Sequence, residues 1–227
     1  MKNIWARILR AFVQNTKGNY IWLIAPDGKR RSVYSLPNCK FKFRGINNNV
    51  YLYEPINDMH LFVDVSNNTN ITIHPGGQMN LYIYRGTYGL YGDANLVIEK
   101  GFVSTGQVRI NLCNGNPIDV TIGRDCLFAG NIDIRTGDYH AIFAKDTGKV
   151  LNYDQCVRIG NHVWVASDVF ISKGVVISDN SVIGAHSVVT RKFNEGNVII
   201  AGTPAKIVKG NIDWDVRSIL DYEKSLK

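Results

Sequence analysis

The sequence has no apolar run near the ~18–20 residues that a membrane-spanning helix needs, because charged or Asn-rich stretches interrupt every candidate. No secretory signal is visible either: Arg7 and Arg10 fall where an h-region would be apolar. A soluble, cytoplasmic protein is expected. Cysteine is sparse, and Cys39, Cys113, Cys126 and Cys156 lie far apart with no C-x-x-C pair. Without an export signal these read as reduced, half-buried small hydrophobes, and they lack the usual zinc-ligand spacings. No dense basic run, RNP-type aromatic motif, zinc finger or helix-turn-helix pattern is present, which argues against nucleic acid as a partner. There is no G-x-S-x-G elbow, and Gly148-Lys149-Val150 lacks the Ser/Thr of a phosphate-binding loop.

What is present is ordinary globular material: 227 residues, 45% hydrophobic, 20% charged and 11% aromatic, enough for a sizeable core. The formal net charge of +7 favours an anionic partner. Nucleic acid, a phosphorylated cofactor, an acidic polysaccharide or an anionic membrane face could each supply it. Residues 1–19 open with an amphipathic helical pattern, with Ile4, Ile8 and Phe12 four apart and Lys2, Arg7 and Arg10 among them. Such a helix packs on its own subunit or a neighbour, with peripheral membrane contact as the other use.

Residues 20–95 change character. Short alternating strands such as Asn49-Val50-Tyr51-Leu52, Asn70-Ile71-Thr72-Ile73 and Asn80-Leu81-Tyr82-Ile83 recur after Asn- and Gly-rich corners. A β-solenoid and a β-sandwich both fit this half.

Residues 96–210 decide between them. Ile159, Val165, Ile171, Ile177, Ile183 and Val189 fall six residues apart, each followed by a small residue: Gly160, Ala166, Ser172, Ser178, Gly184 and Thr190. Four places after each aliphatic stand Val163, Val169, Val175, Ser181, Ser187 and Phe193. Ile98, Ile110, Ile122, Phe128 and Ile134 keep the same grid in another phase, so an insertion lies between Ile134 and Ile159. A six-residue period fits neither an α-helix nor a hairpin. It fits a solenoid with one hexad per flat side, three sides per eighteen-residue coil and one continuous core. Residues 211–227 are expected to hold a terminal helix with a capping Asp in Asp213-Trp214-Asp215 and apolar Ile219, Leu220 and Leu226.

Ile159-Gly160-Asn161-His162-Val163-Trp164-Val165-Ala166-Ser167, Ile183-Gly184-Ala185-His186-Ser187-Val188-Val189-Thr190 and Ala201-Gly202-Thr203-Pro204-Ala205-Lys206 resemble the hexapeptide-repeat acyltransferases. Within that family the chain is most similar to bacterial polysialic-acid and capsule O-acetyltransferases. The resemblance implies an all-β, left-handed parallel β-helix with short N- and C-terminal helices and an extruded loop near 140–156. It further implies acetyl-coenzyme A as donor, a sugar hydroxyl as acceptor, and a homotrimer with active sites between subunits; no metal is expected, because the cysteines and histidines lack ligand spacing. A loop histidine serves as general base in such enzymes, and His140 in Gly137-Asp138-Tyr139-His140 matches it. Asp138 is placed to orient that ring. Trp164 matches a tryptophan lining the acetyl or acceptor pocket. Ser167 and Ala185 match contacts to the thioester end, and Thr190 and Arg191 match the pantetheine and phosphate path. Lys206 and Lys209 match positions near the nucleotide phosphates. Two departures stand out: Ala166 replaces a common glycine, and Phe193-Asn194-Glu195-Gly196 is a residue longer than the usual turn.

The chemistry is consistent with His140. A sugar hydroxyl is a poor nucleophile until its proton is removed, and imidazole suits that task near neutral pH. His60 and His74 read as surface residues, while His162 and His186 sit inside regular hexads. N-acetylation of an amino-sugar nucleotide, a non-catalytic scaffold and a zinc-bearing carbonic-anhydrase-like helix are the rival readings. A polyanionic acceptor such as polysialic acid would suit the basic charge.

Overall fold

The structure, a computed structural model, describes residues 17–86, 92–113 and 117–227. The expected N-terminal helix falls mainly on residues 1–16, outside the described residues. From Tyr20 onward the chain winds as a solenoid of stacked parallel strands in three sheets, with Arg30–Val33 added antiparallel at the edge of the first, the left-handed parallel β-helix architecture of the hexapeptide-repeat enzymes. The first sheet stacks Tyr20–Ile24, Asn49–Tyr53, Thr69–Ile73, Ala94–Ile98, Ile118–Ile122, Val157–Ile159 and Val176–Ile177. The second stacks Cys39–Phe43, Met59–Val65, Met79–Arg85, Val108–Leu112, Ile132–Arg135, Phe170–Ile171 and Val188–Val189. The third begins only at Val103–Ser104 and continues through Leu127–Phe128, Trp164–Val165, Val182–Ile183 and Ile199–Gly202. Among the described residues, the upstream coils are therefore built from two sheets, and the triangular section starts after Ile98.

Register shows how the hexads work. Ile159 pairs with Ile177, Val165 with Ile183 and Ile171 with Val189, each eighteen residues on. The preceding coils are longer: Ile98 pairs with Ile122, and Val108 with Ile132, each twenty-four residues on. Both inward positions of each hexad are buried, from Ile159 and Val163 through Val189 and Phe193. Burying such an aliphatic side chain is worth about 1.5–3 kcal/mol, and every new coil extends the same core.

Corners need residues that tolerate the left-handed backbone region. Asn47, Asn68, Asp125, Asn131, Asp168, Asn180 and Asn197 occupy it, and so do His162 (φ 52°) and His186 (φ 55°). Those two histidines are corner residues and not members of the flat sides. Gly160 is small because of close approach: a Cβ there would lie 2.2 Å from Asp179 Oδ1 and 2.8 Å from the Asp179 backbone nitrogen. On the first sheet, Asn49, Asn70, Asn95 and Asp119 form a hydrogen-bonded ladder (3.3, 3.2 and 2.9 Å) running up successive coils.

Ala201-Gly202-Thr203-Pro204-Ala205 turns the chain into an antiparallel strand, Ala205–Lys209, on the edge of the third sheet. The C-terminal helix spans Ile219–Ser225 and is capped by Ser218, whose hydroxyl accepts the Asp221 N–H. The expected Asp cap is thereby corrected. Asp213 accepts the N–H of Trp214 (2.8 Å) and faces the His162 ring at 3.5 Å, so it holds the tail against the solenoid instead. No described helix is long and apolar enough to cross a membrane.

Candidate active site

From Ala94 onward each coil runs first sheet, third sheet, second sheet, and so has three edges: edge I between first and third, edge II between third and second, edge III between second and first. The insertion inferred from the two hexad phases is an excursion at edge III, from Thr136 to Cys156. Its exposed part is stiffened by a bridge between Phe143 and Val150. It leaves after Ile132–Arg135 and re-enters at Val157–Ile159, so the strands above and below keep their stacking.

His140 sits exposed at the start of this loop, beside a cavity of about 810 Å³ lined by Arg44, Asp64, Tyr84, Arg85, Gly86, Asn111 and Tyr139. Among the described residues nothing hydrogen-bonds its imidazole, which leaves both ring nitrogens open to a bound molecule. The backbone around it is held firmly. Asn152 accepts the Ile142 N–H at Oδ1 (2.7 Å), and its Nδ2 donates to the His140 carbonyl (2.8 Å) and to Asp138 Oδ2 (2.8 Å). Lys173, from the next coil, donates to the Asp138 carboxylate and to the Asn152 carbonyl (2.9 Å). Asp138 thus reaches His140 through Asn152 rather than by bonding its ring. The Lys173 ammonium first, and the Asn152 amide second, hold the Asp138 carboxyl below its ordinary range. Tyr139 takes a left-handed backbone (φ 64°), and burial of its phenol beside Cys113 pushes its pKa up.

The other residues singled out from the sequence lie elsewhere on the prism. Trp164 opens its strand on the third sheet, 39% exposed. It faces Trp214 of the tail with ring centroids 6.0 Å apart. Trp214 in turn stacks on His162 at 4.2 Å and donates its indole N–H to the His162 carbonyl (2.7 Å). Trp164, Trp214, Asp215, Arg217 and Tyr222 line a second cavity of about 560 Å³. Ser167 and Ala185 are exposed on edge II, where the His186 N–H donates to the Ser167 carbonyl (3.0 Å). Thr190 and Arg191 are exposed on edge III, the edge that carries His140. Lys206 and Lys209 are exposed on the antiparallel strand beside the third sheet. One chain therefore gathers Asp138, His140, Thr190 and Arg191 on one edge and keeps Trp164, Ser167 and Ala185 away from it. The described cavities at His140 and at Trp164 share no lining residue.

Comparison with known proteins locates this arrangement. Residues 156–191 match the family model described as bacterial transferase hexapeptide (six repeats). The chain is 33% identical over 190 residues to the polysialic acid O-acetyltransferase of Neisseria meningitidis, covering 82% of this chain and 76% of that protein. This chain belongs to the hexapeptide-repeat acetyltransferases. It is 41% identical over 108 residues to the polysialic acid O-acetyltransferase of Escherichia coli O1:K1, a match spanning 48% of this chain and a third of that longer protein. Among solved structures, the polySia-specific acetyltransferase NeuO superposes with a TM-score of 0.56 at 24% identity over 92% of this chain and 95% of that one, which supports the fold.

For an acetyltransferase, two residues of the loop's support escaped the sequence reading. Lys173 stands in an ordinary hexad corner, thirty-five residues from Asp138, and Asn152 is one polar loop residue among several. No sequence signal marks Lys173; its role shows only in the structure, where its side chain is 16% exposed against the loop. The four cysteines form no disulfide. Burial pushes the Cys126 thiol up to about 12, which suits a packing role. Among the described residues no cluster of three His, Cys, Asp or Glu side chains is placed to hold a metal ion.

Proposed function

We propose that this acetyltransferase moves an acetyl group from acetyl-coenzyme A to a hydroxyl of an acidic surface polysaccharide, polysialic acid or a similar sugar, in a single direct step with His140 as general base. The observation that carries this reading is the exposed imidazole of His140, which no described residue hydrogen-bonds, fixed by its backbone beside a cavity lined with Tyr84, Asn111 and Arg44. The relatives named polysialic acid O-acetyltransferases support the acceptor class, and the +7 charge suits a polyanion.

In this mechanism an imidazole nitrogen of His140 takes the hydroxyl proton as the sugar oxygen attacks the thioester carbonyl. The tetrahedral oxyanion is met by backbone N–H groups at a solenoid corner, with Ala185 as the matching donor. Collapse breaks the carbon–sulfur bond, and the imidazolium returns its proton to the leaving sulfur, so no acyl group rests on the enzyme. Trp164 and Ser167 would line the acyl end, Thr190 and Arg191 the pantetheine path. Arg191, Lys206 and Lys209 are exposed cations that fit the phosphates of coenzyme A.

These residues lie on two edges and one face of the prism, so the groove needs edge III of one chain against edge II and the third sheet of another. A homotrimer closes three such grooves.

The test is acceptor-dependent thiol release from acetyl-coenzyme A by the wild type and His140→Ala, using polysialic acid and amino-sugar nucleotides as acceptors. The expected outcome is release with polysialic acid that falls at least ~10²-fold in the variant. Undiminished turnover without His140 would remove it from the mechanism. Release with only the amino-sugar nucleotide would replace O- by N-transfer, and a wild type that neither turns over nor binds coenzyme A would be a scaffold.

A further inference from the structure

The upstream coils, where no third-sheet strand occurs among the described residues, present the outer face of the second sheet beside the His140 cavity. Register sorts its outward side chains into two columns running along the solenoid axis. One is Lys40, Phe62, Tyr82, Arg109 and Asp133. The other is Lys42, Asp64, Tyr84, Asn111 and Arg135. The aromatic rings form a continuous platform, with Phe62 centred 6.0 Å from Tyr82 and 5.6 Å from Tyr84. Lys40 Nζ sits 5.6 Å over the Phe62 ring and, among the described residues, has no carboxylate partner.

Charge on this face is unbalanced. Lys40, Lys42, Arg44, Arg109 and Arg135 set five cations against the two carboxylates Asp64 and Asp133, a surplus of 5 − 2 = +3. Asp64 is held by Arg44 and by Lys42 (3.4 Å), and Asp133 by Arg135 (2.8 Å) and Arg109 (3.8 Å). The surplus is left for a ligand. The first sheet is built differently: one outward column is Tyr20 followed by the Asn49–Asn70–Asn95–Asp119 ladder, whose side chains bond one another, and the other is Trp22, Tyr51, Thr72, Val97, Thr121 and Arg158, with its rings confined to the N-terminal end of the stack.

We infer that this face is a binding track for an acidic polysaccharide chain, which lies along the solenoid axis over Lys40, Phe62, Tyr82 and Arg109 and feeds one sugar into the cavity beside His140. Aromatic rings take the apolar faces of sugars, and the surplus cations meet their carboxylates. From Cys39–Phe43 to Ile132–Arg135 there are four strand steps, about 19 Å at ~4.8 Å each. That exceeds one sugar and calls for a chain. The cavity's own lining continues the track, since Arg44, Asp64, Tyr84 and Asn111 belong to or adjoin the same strands. The inference rests on the proposed acceptor class, and it assigns a role to residues 20–95 that the hexad pattern leaves open.

The experiment uses the full chain and the double variant Lys40→Ala/Tyr82→Ala, both remote from the His140 loop in sequence. KM and kcat are measured with long-chain polysialic acid and with a short sialic acid oligomer. Binding of the long polymer is measured by calorimetry with dextran as the neutral control, and assembly by sedimentation. The expected result is a polymer KM raised about tenfold for the combined loss of one charged and one stacking contact, with kcat, short-oligomer kinetics and sedimentation unchanged. An unchanged polymer KM, an equal loss for both acceptors, or a smaller assembly in the variant would each overturn the track; the last would make this face a subunit interface. If the wild type acetylates neither acceptor, the proposed reaction fails on its own. The track is then judged by binding: polymer bound by the wild type and lost in the variant upholds it, and no binding to the wild type refutes it.

Discussion

Asn152→Ala isolates what holds the His140 loop. The substitution deletes three hydrogen bonds, from the Ile142 N–H (2.7 Å), to the His140 carbonyl (2.8 Å) and to Asp138 (2.8 Å). Each bond contributes about 0.5–1.5 kcal/mol net, and because all three are exposed the lower half of that range applies, for a total of about 2 kcal/mol. No buried core residue is touched, since the loop lies outside the solenoid interior. The loss should therefore register as local opening. Hydrogen exchange at Leu151 and Ala144, whose amides donate within the loop to Ile142 and Lys149, should accelerate about 30-fold, the factor that ~2 kcal/mol represents. The melting temperature should stay where it is, and acceptor-dependent thiol release should fall by no more than that same factor. Asn152→Asp is a sharper probe: it keeps an acceptor for the Ile142 N–H but sets a second negative charge beside Asp138 and loses the donor to His140. It should open the loop at least as far as alanine does. Unchanged exchange at Leu151 and Ala144, or a fall in melting temperature without local opening, would refute the reasoning.

Two further outcomes follow from the geometry. Gly160→Ala drives a methyl group into the Asp179 carboxylate and backbone; overpacking of this kind costs about 1–3 kcal/mol, and thermal unfolding should shift down by several degrees, at about 2–4 °C per kcal/mol for a chain of this size. A circular-dichroism melt checks it. Asp138 has a carboxyl held below its ordinary range, so its anchoring of the loop is fully present above the usual aspartate pKa of ~3.9 and is lost as pH falls through the depressed value. Loop exchange rates, corrected for intrinsic pH dependence, should rise only on the acid side of pH ~4, and Asp138→Asn should abolish that rise.

The solenoid was legible because its repeat writes the same demand six times. Each hexad has two inward positions, and both carry buried residues at every turn from Ile159 to Phe193. The upstream coils were harder to read because their strands run five to seven residues and are joined by turns of unequal length, so register drifts from twenty-one residues between Val50 and Ile71 to twenty-five between Ile71 and Leu96. His140, the proposed base, draws attention because it stands where the grid breaks and matches the loop histidine of the enzymes the sequence resembles. Its support draws none, since Lys173 and Asn152 meet Asp138 only after a loop of some twenty residues folds back over the next coil. The capping Asp misled for a local reason: an aspartate offers its carboxylate equally to a helix start or to a nearby backbone N–H, and here Asp213 takes that of Trp214 and Asp215 that of Arg217, leaving the cap to Ser218.

The loop leaves the solenoid after Arg135 and returns at Val157 with the pairing of Asp133 to Phe170 and of Thr121 to Arg158 intact. A corner excursion of this kind is topologically free: in its exposed part, beyond the buried Thr136 and Gly137, residues can be added or removed without changing the register of the strands on either side. The flat sides that stack above and below it have no such freedom, because a residue inserted within a strand would turn the rest of that strand to the wrong face. The architecture thus splits the chain into a part whose length is frozen and a part whose length is open to change, and the residue proposed to begin the chemistry, His140, is mounted on the open part.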